Sequence, residues 1–98
     1  GRVDVKKPSI QVAFWRFHAD NPWVANELER MTDELWRAGR RRVSMKMLFE
    51  VLRWESARTA TANDFKLNNN FTAHYARLMM RRRPEWDDMF ELRAVRTR

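Results

Sequence analysis

Cysteine is absent from the 98 residues, which removes disulfides, thiolate metal sites and thiol nucleophiles together. Nothing therefore recommends a secreted, disulfide-stapled scaffold. Glycine occurs twice and proline three times, too few for a collagen-like or flexible low-complexity chain. No apolar run approaches the roughly 18 residues of a membrane span, and no signal peptide opens the sequence. The chain reads as one cytoplasmic domain spanning 1–98, with residues 1–8 as a flexible N-terminal arm and no membrane contact. The two histidines, His18 and His74, belong to no HxH or HExxH pattern, so no metal site is expected. A GxxxxGK[ST] phosphate loop and a GxSxG nucleophile elbow are missing too. Asp64-Phe65-Lys66 echoes the acid-x-Lys end of a metal-dependent nuclease, but no convincing upstream strand Asp accompanies it. Asp87-Asp88 reads as the start of a turn. The sequence is read as non-enzymatic, with no catalytic residue and no cofactor.

What is present is a core and a charge. Hydrophobic residues make up 44% of the chain and aromatics 12%, five of them Trp, enough for one packed core and too much for a disordered tail. Lys and Arg number 20 against 13 Asp and Glu, a net charge of +7 that marks a polyanion binder. Sixteen of the 20 cations are Arg, whose planar fork matches phosphate and guanine edges. The charge is uneven along the chain. Residues 1–19 sum to +3, 20–36 to −4, 37–58 to +5, 59–70 to zero and 71–98 to +3. One acidic helix between basic flanks suggests a negative and a positive side, which would orient the molecule on a duplex.

Apolar spacing then supplies the elements. Ile10, Ala13, Phe14 and Phe17 form one helical stripe with Ser9 as its N-cap. Asn21 and Pro22 start a second helix, whose stripe Val24, Leu28, Met31 and Leu35 runs to Ala38 before the left-handed stop at Gly39. Arg40-Arg41-Arg42-Val43 is short enough to serve only as an edge strand. Ser44 caps a third helix from Met45 to about Ala57, with Met45, Leu48, Phe49, Val51, Leu52 and Trp54 as a wide apolar face. Phe65-Lys66-Leu67 reads as a short strand. Any of Asn68, Asn69 and Asn70 suits the N-cap of a fourth helix, 71–83, with the stripe Phe71, Tyr75, Leu78 and Met79 and a stop at Pro84. The alternation from Phe90 to Arg96 predicts a half-buried strand. The fold expected is mainly α, four helices with one or two short strands, arranged like a winged helix-turn-helix. The dozen-residue loop before the last helix departs from the usual 3–4-residue turn.

In that arrangement the 71–83 helix becomes the recognition helix, its N-terminal end meeting bases and its flanks meeting phosphates. Asn69, Asn70, Thr72 and His74 are the candidate base contacts, because Asn is a bidentate adenine reader. Arg40, Arg41, Arg42, Lys46, Arg77, Arg81, Arg82 and Arg83 are the candidate phosphate contacts, with Arg53 beside them. The bland alternatives are that the Asn run only caps the helix and that the Arg triplets form a solvated face. The five Trp have no regular spacing and read as core rather than as a stacking platform for single strands. Trp15 and Trp23 flank the first turn as candidates for partner contact.

Phe17-His18 with Asn21-Pro22, Arg53-Trp54-Glu55, Phe65 through Asn70, Tyr75-Ala76-Arg77-Leu78, Pro84-Glu85 and Phe90 through Arg93 span most of residues 14–93. On these strings the chain resembles a group of small phage and prophage open reading frames of unknown function. The resemblance implies a phage or prophage origin and a bacterial cytoplasm, and it brings no site residues. The expectation is a non-enzymatic, double-stranded-DNA-binding regulator or architectural factor. The alternative is a small protein that binds and inhibits or redirects a host or phage protein, through Trp15, Trp23 and Trp36 or through the acidic helix 22–38.

Overall fold

The computed structural model describes residues 9–59 and 67–90. Four α-helices carry the fold: α1 (Ile10–Asp20), α2 (Pro22–Arg37), α3 (Met45–Thr59) and α4 (Thr72–Arg82). Two single-turn 3-10 helices, Asn69–Phe71 and Pro84–Trp86, bracket α4.

The helix ends follow from local chemistry. Ser9 Oγ accepts from the Val12 amide at 3.2 Å and starts α1. Asn21 stands at the junction of α1 and α2, as its sequence position predicts, but its side chain looks backwards. Nδ2 donates to the Phe17 carbonyl at 3.1 Å, closing α1, while Pro22 opens α2 without needing an amide partner. Gly39, at φ 97°, ends α2. Its amide donates to the Trp36 carbonyl at 3.0 Å and the Arg40 amide to Leu35 at 2.9 Å, the paired bonds of a Schellman closure. Ser44 Oγ accepts from Met47 at 3.2 Å to start α3.

The core collects one face of each helix. Val24, Ala25 and Leu28 of α2, Leu48, Phe49 and Leu52 of α3, and Tyr75, Ala76 and Met79 of α4 are buried, with Phe14 from α1 and Trp86 below the end of α4. Thr32, the one buried polar side chain among the described residues, returns its hydroxyl to the Leu28 carbonyl at 2.8 Å. Phe14 lies edge-on to Tyr75 and Phe71, at 4.7 and 5.7 Å between ring centres, and so ties α1 to the start of α4.

Several expectations change. Among the described residues no strand forms: Arg40-Arg41-Arg42 runs irregularly to Val43, which makes one isolated parallel bridge to Phe90. A helix begins two residues after Val43, which leaves no length for a ladder. Leu67 is buried but not in a strand, while Phe65-Lys66, the 91–96 strand and the 1–8 arm lie outside the described residues. The third helix runs two residues further than the sequence pattern, to Thr59, and the fourth starts at Thr72 after the 3-10 turn. On α3, Val51 and Trp54 leave the predicted apolar face and point outward.

The Asn run resolves into a division of labour. Asn68 Oδ1 accepts from the Asn70 amide at 2.8 Å and caps the 3-10 turn that feeds α4. Asn70 is exposed and caps nothing. Asn68→Ala is therefore expected to cost about 1 kcal/mol in denaturant unfolding. Asn70→Ala is expected to stay within about 0.5 kcal/mol of the parent, as surface substitutions do. The reverse order would place the cap two residues later.

Candidate nucleic-acid interface

Cations that already serve carboxylates have little left for phosphate. Arg82 and Arg83 are committed. Arg82 Nη1 donates to Glu29 Oε1 at 2.8 Å and lies 3.4 Å from Asn26 Oδ1. Arg83 Nε donates to the other Glu29 oxygen at 3.2 Å, and its Nη1 lies 3.6 Å from Asp33 and 3.5 Å from Glu85. The Arg83 guanidinium also rests 4.7 Å above the buried Trp86 ring. Along α2, Arg30 pairs with Glu27 and Glu34, and Arg37 with Asp33. The acidic stretch read as one side of the molecule is thus partly spent inside it.

Arg53 and Arg41 are committed to backbone. Arg53 bridges from Glu50 at 2.9 Å to the Leu67 carbonyl at 2.8 Å and Asn69 Oδ1 at 2.6 Å, holding the entry to α4 against α3. Asn69 is accordingly an acceptor for Arg53. Arg41 donates to the Trp36 carbonyl at 2.9 Å and stacks 3.8 Å over the Trp36 ring, closing the end of α2. Thr72 Oγ1 returns to the Asn69 carbonyl at 3.2 Å.

Arg58 pairs with Glu55, and among the described residues six cations are left: Arg16, Arg40, Arg42, Lys46, Arg77 and Arg81 are exposed and have no ion pair with another described residue. Arg77 and Arg81 sit one turn apart on the outward ridge of α4, a ridge that begins at exposed Asn70 and passes the half-buried, small Ala73. The backbone directly after Arg42 is tied to the segment that follows α4. The Val43 amide donates to the Met89 carbonyl at 2.8 Å, and Met89 follows directly on the turn that Arg83 and Trp86 anchor. Of the two Arg triplets, Arg40, Arg42 and Arg81 have no ion pair with another described residue.

His74 turns inward. Its ring stacks on Phe14 at 5.1 Å between centres, and its Nδ1 is buried with no partner among the described residues. His18 stacks on Phe14 as well, at 5.9 Å, with its Nδ1 likewise buried and unpartnered. Burial holds the His18 imidazole below its ordinary value, and the positive charge of Arg82 adds to the effect. Burial pushes the Tyr75 hydroxyl well above its ordinary range, with Arg82 opposing. No group of three His, Asp or Glu that could hold a metal occurs among the described residues, and no described helix is long and apolar enough to cross a membrane. Sequence reasoning missed the exposure of Met47 and Trp54, because both lie next to core residues in a helix whose apolar residues fall on two faces.

No protein-family model, no curated protein and no solved structure matches the chain, so its functional reading rests on residues and geometry.

The His18 environment makes stability depend on pH. The fold binds fewer protons than the unfolded chain just below pH 6.5, the ordinary value, so stability falls as pH drops through that region. The loss levels off once His18 protonates in the folded state. The melting temperature is expected to be lower at pH ~5.5 than at ~7.5, with a smaller difference in His18→Phe. Equal differences in the two proteins would assign the effect to other groups.

Proposed function

We propose that the protein binds double-stranded DNA without catalysis, as a regulator or architectural factor. The observation that carries this reading is the set of exposed cations without an ion pair to another described residue, in a chain of net charge +7. Arg77 and Arg81 on the α4 ridge, together with Arg40, Arg42 and Lys46, would neutralise backbone phosphates. Asn70, whose side chain caps nothing, would face base edges in the major groove, and the small Ala73 would let the ridge approach closely. In a winged helix-turn-helix arrangement, α4 would be the recognition helix and the Val43–Phe90 bridge the root of a wing. Arg82, Arg83, Arg41 and Asn69 act in this reading as supports that aim the ridge. The resemblance to phage and prophage reading frames would place the protein in an infected bacterial cytoplasm.

The exposure of Trp15 and Trp23 favours a second reading, in which a host or phage protein is the partner. A salt titration of duplex binding separates the two. For the first reading, log K falls linearly with log salt, and joint replacement Arg77→Ala with Arg81→Ala flattens the slope by roughly 2. Arg82→Ala is expected to reduce thermal stability and leave the slope nearly unchanged. Absence of duplex binding at ~100 mM salt would remove the DNA reading and leave the protein partner.

A further inference from the structure

Helix α3 has two apolar faces. Met45, Leu48, Phe49 and Leu52 are buried in the core. On the opposite side Met47, Val51 and Trp54 are 45%, 38% and 61% exposed. Their i, i+4, i+7 spacing makes one continuous stripe along successive turns. At its N-terminal end the stripe opens into a shallow depression lined by Leu35, Val43 and Met47 and edged by Arg40 and Arg42. At its C-terminal end the Arg58 guanidinium lies 5.0 Å over the Trp54 ring and 3.4 Å from Glu55. A helix that shows water an ordered apolar stripe opposite its core face is half of an interface.

We infer that this stripe is a self-association face on which two copies pair, α3 antiparallel to α3, about a two-fold axis at Val51. The order of side chains suits a second copy. Val51 lies four residues from Met47 and three from Trp54, so reversal about Val51 sets the smallest side chain against itself. Each Met47 thioether then meets the partner copy's indole, a favourable sulfur–aromatic contact. A stripe small at its middle and large at both ends is self-complementary, as an isologous interface requires. Charge selects the direction. Arg40, Arg42 and Lys46 crowd the N-terminal end without ion pairs among the described residues, on top of the positive end of the helix dipole. The C-terminal end has the Glu55–Arg58 pair and the negative end of the dipole. Antiparallel pairing brings the cationic end of each helix to the negative dipole end of the other, whereas parallel pairing opposes cation to cation.

An interface resting on three apolar side chains per copy falls at the low end of stable sizes, about 1,200 Å² or less in total. Pairing is therefore concentration-dependent. Two copies of net charge +7 repel, so screening by salt strengthens the dimer. Duplex binding has the opposite salt dependence, so loss of one activity is distinguishable from loss of the other.

The absence of cysteine makes the test clean. Helix axes about 8–10 Å apart put the two Cβ atoms at the axis within disulfide reach, so Val51→Cys places the single thiol of each chain at the two-fold. With oxidised glutathione and no DNA, Val51→Cys is expected to form covalent dimers roughly tenfold or more faster than Gln11→Cys, an exposed control on α1. Wild-type sedimentation should show a dimer fraction that rises with protein and with salt. Trp54→Ala, folded by circular dichroism, should shift it to monomer. Equal oxidation rates in the two cysteine variants, or a wild type that stays monomeric at several hundred micromolar, would overturn the inference.

Discussion

One carboxylate organises the charge of this molecule. Glu29 of α2 gives one oxygen to Arg82 and the other to Arg83, at 2.8 and 3.2 Å, joining the middle of the acidic helix to the end of α4. The three side chains are about 30% exposed, dry enough for the pairing to exceed an ordinary surface ion pair and wet enough to avoid the full cost of burial. The rest depends on that junction. It holds α4 so that Tyr75, Ala76 and Met79 face the core, and it positions Arg83 over Trp86. It also withdraws two of three consecutive arginines from the surface, which leaves Arg81 and Arg77 as the outward cations of the helix.

A similar logic runs through the rest of the fold, where arginines close what secondary structure leaves open. Arg53 supplies donors to a carbonyl and an amide oxygen at the entry of α4, and Arg41 covers the carbonyl end of α2 while resting on Trp36. Guanidinium does this well, because its planar fork satisfies several acceptors at once and stacks on a ring. The Arg-rich composition is thus partly structural. The remaining exposed cations, the outer stripe of α3 and the exposed Trp15 and Trp23 are surfaces among the described residues left to function.

The helices were legible in the sequence because their signals are local. Ser9, Ser44, Pro22 and Gly39 each act within four residues, and the stripe Val24, Leu28 and Met31 has one period and one buried face. The features that were not legible are those fixed by distant chain. Residues 53 and 54 positions apart in sequence make the Glu29 pairs, so a run of charges gives no sign of being spent internally. Helix α3 has two apolar faces, and only the neighbouring helices decide that Leu48 and Leu52 go in while Met47, Val51 and Trp54 stay out. The Asn run hid a 3-10 turn, which moved the cap from the helix itself to Asn68 and freed Asn70. His74, at the start of a helix, looked like a base reader until the Phe14 ring claimed its face.

The division of arginines into supports and surface cations is tested most directly by Glu29→Gln. Removing the carboxylate charge is expected to lower unfolding stability by roughly 1–3 kcal/mol, the usual loss for hydrogen bonds to a charged group. It should also release Arg82 and Arg83 beside Arg81, so that the slope of log K against log salt for a DNA duplex steepens by up to about 2. A variant with unchanged unfolding midpoint and unchanged salt slope would contradict the account.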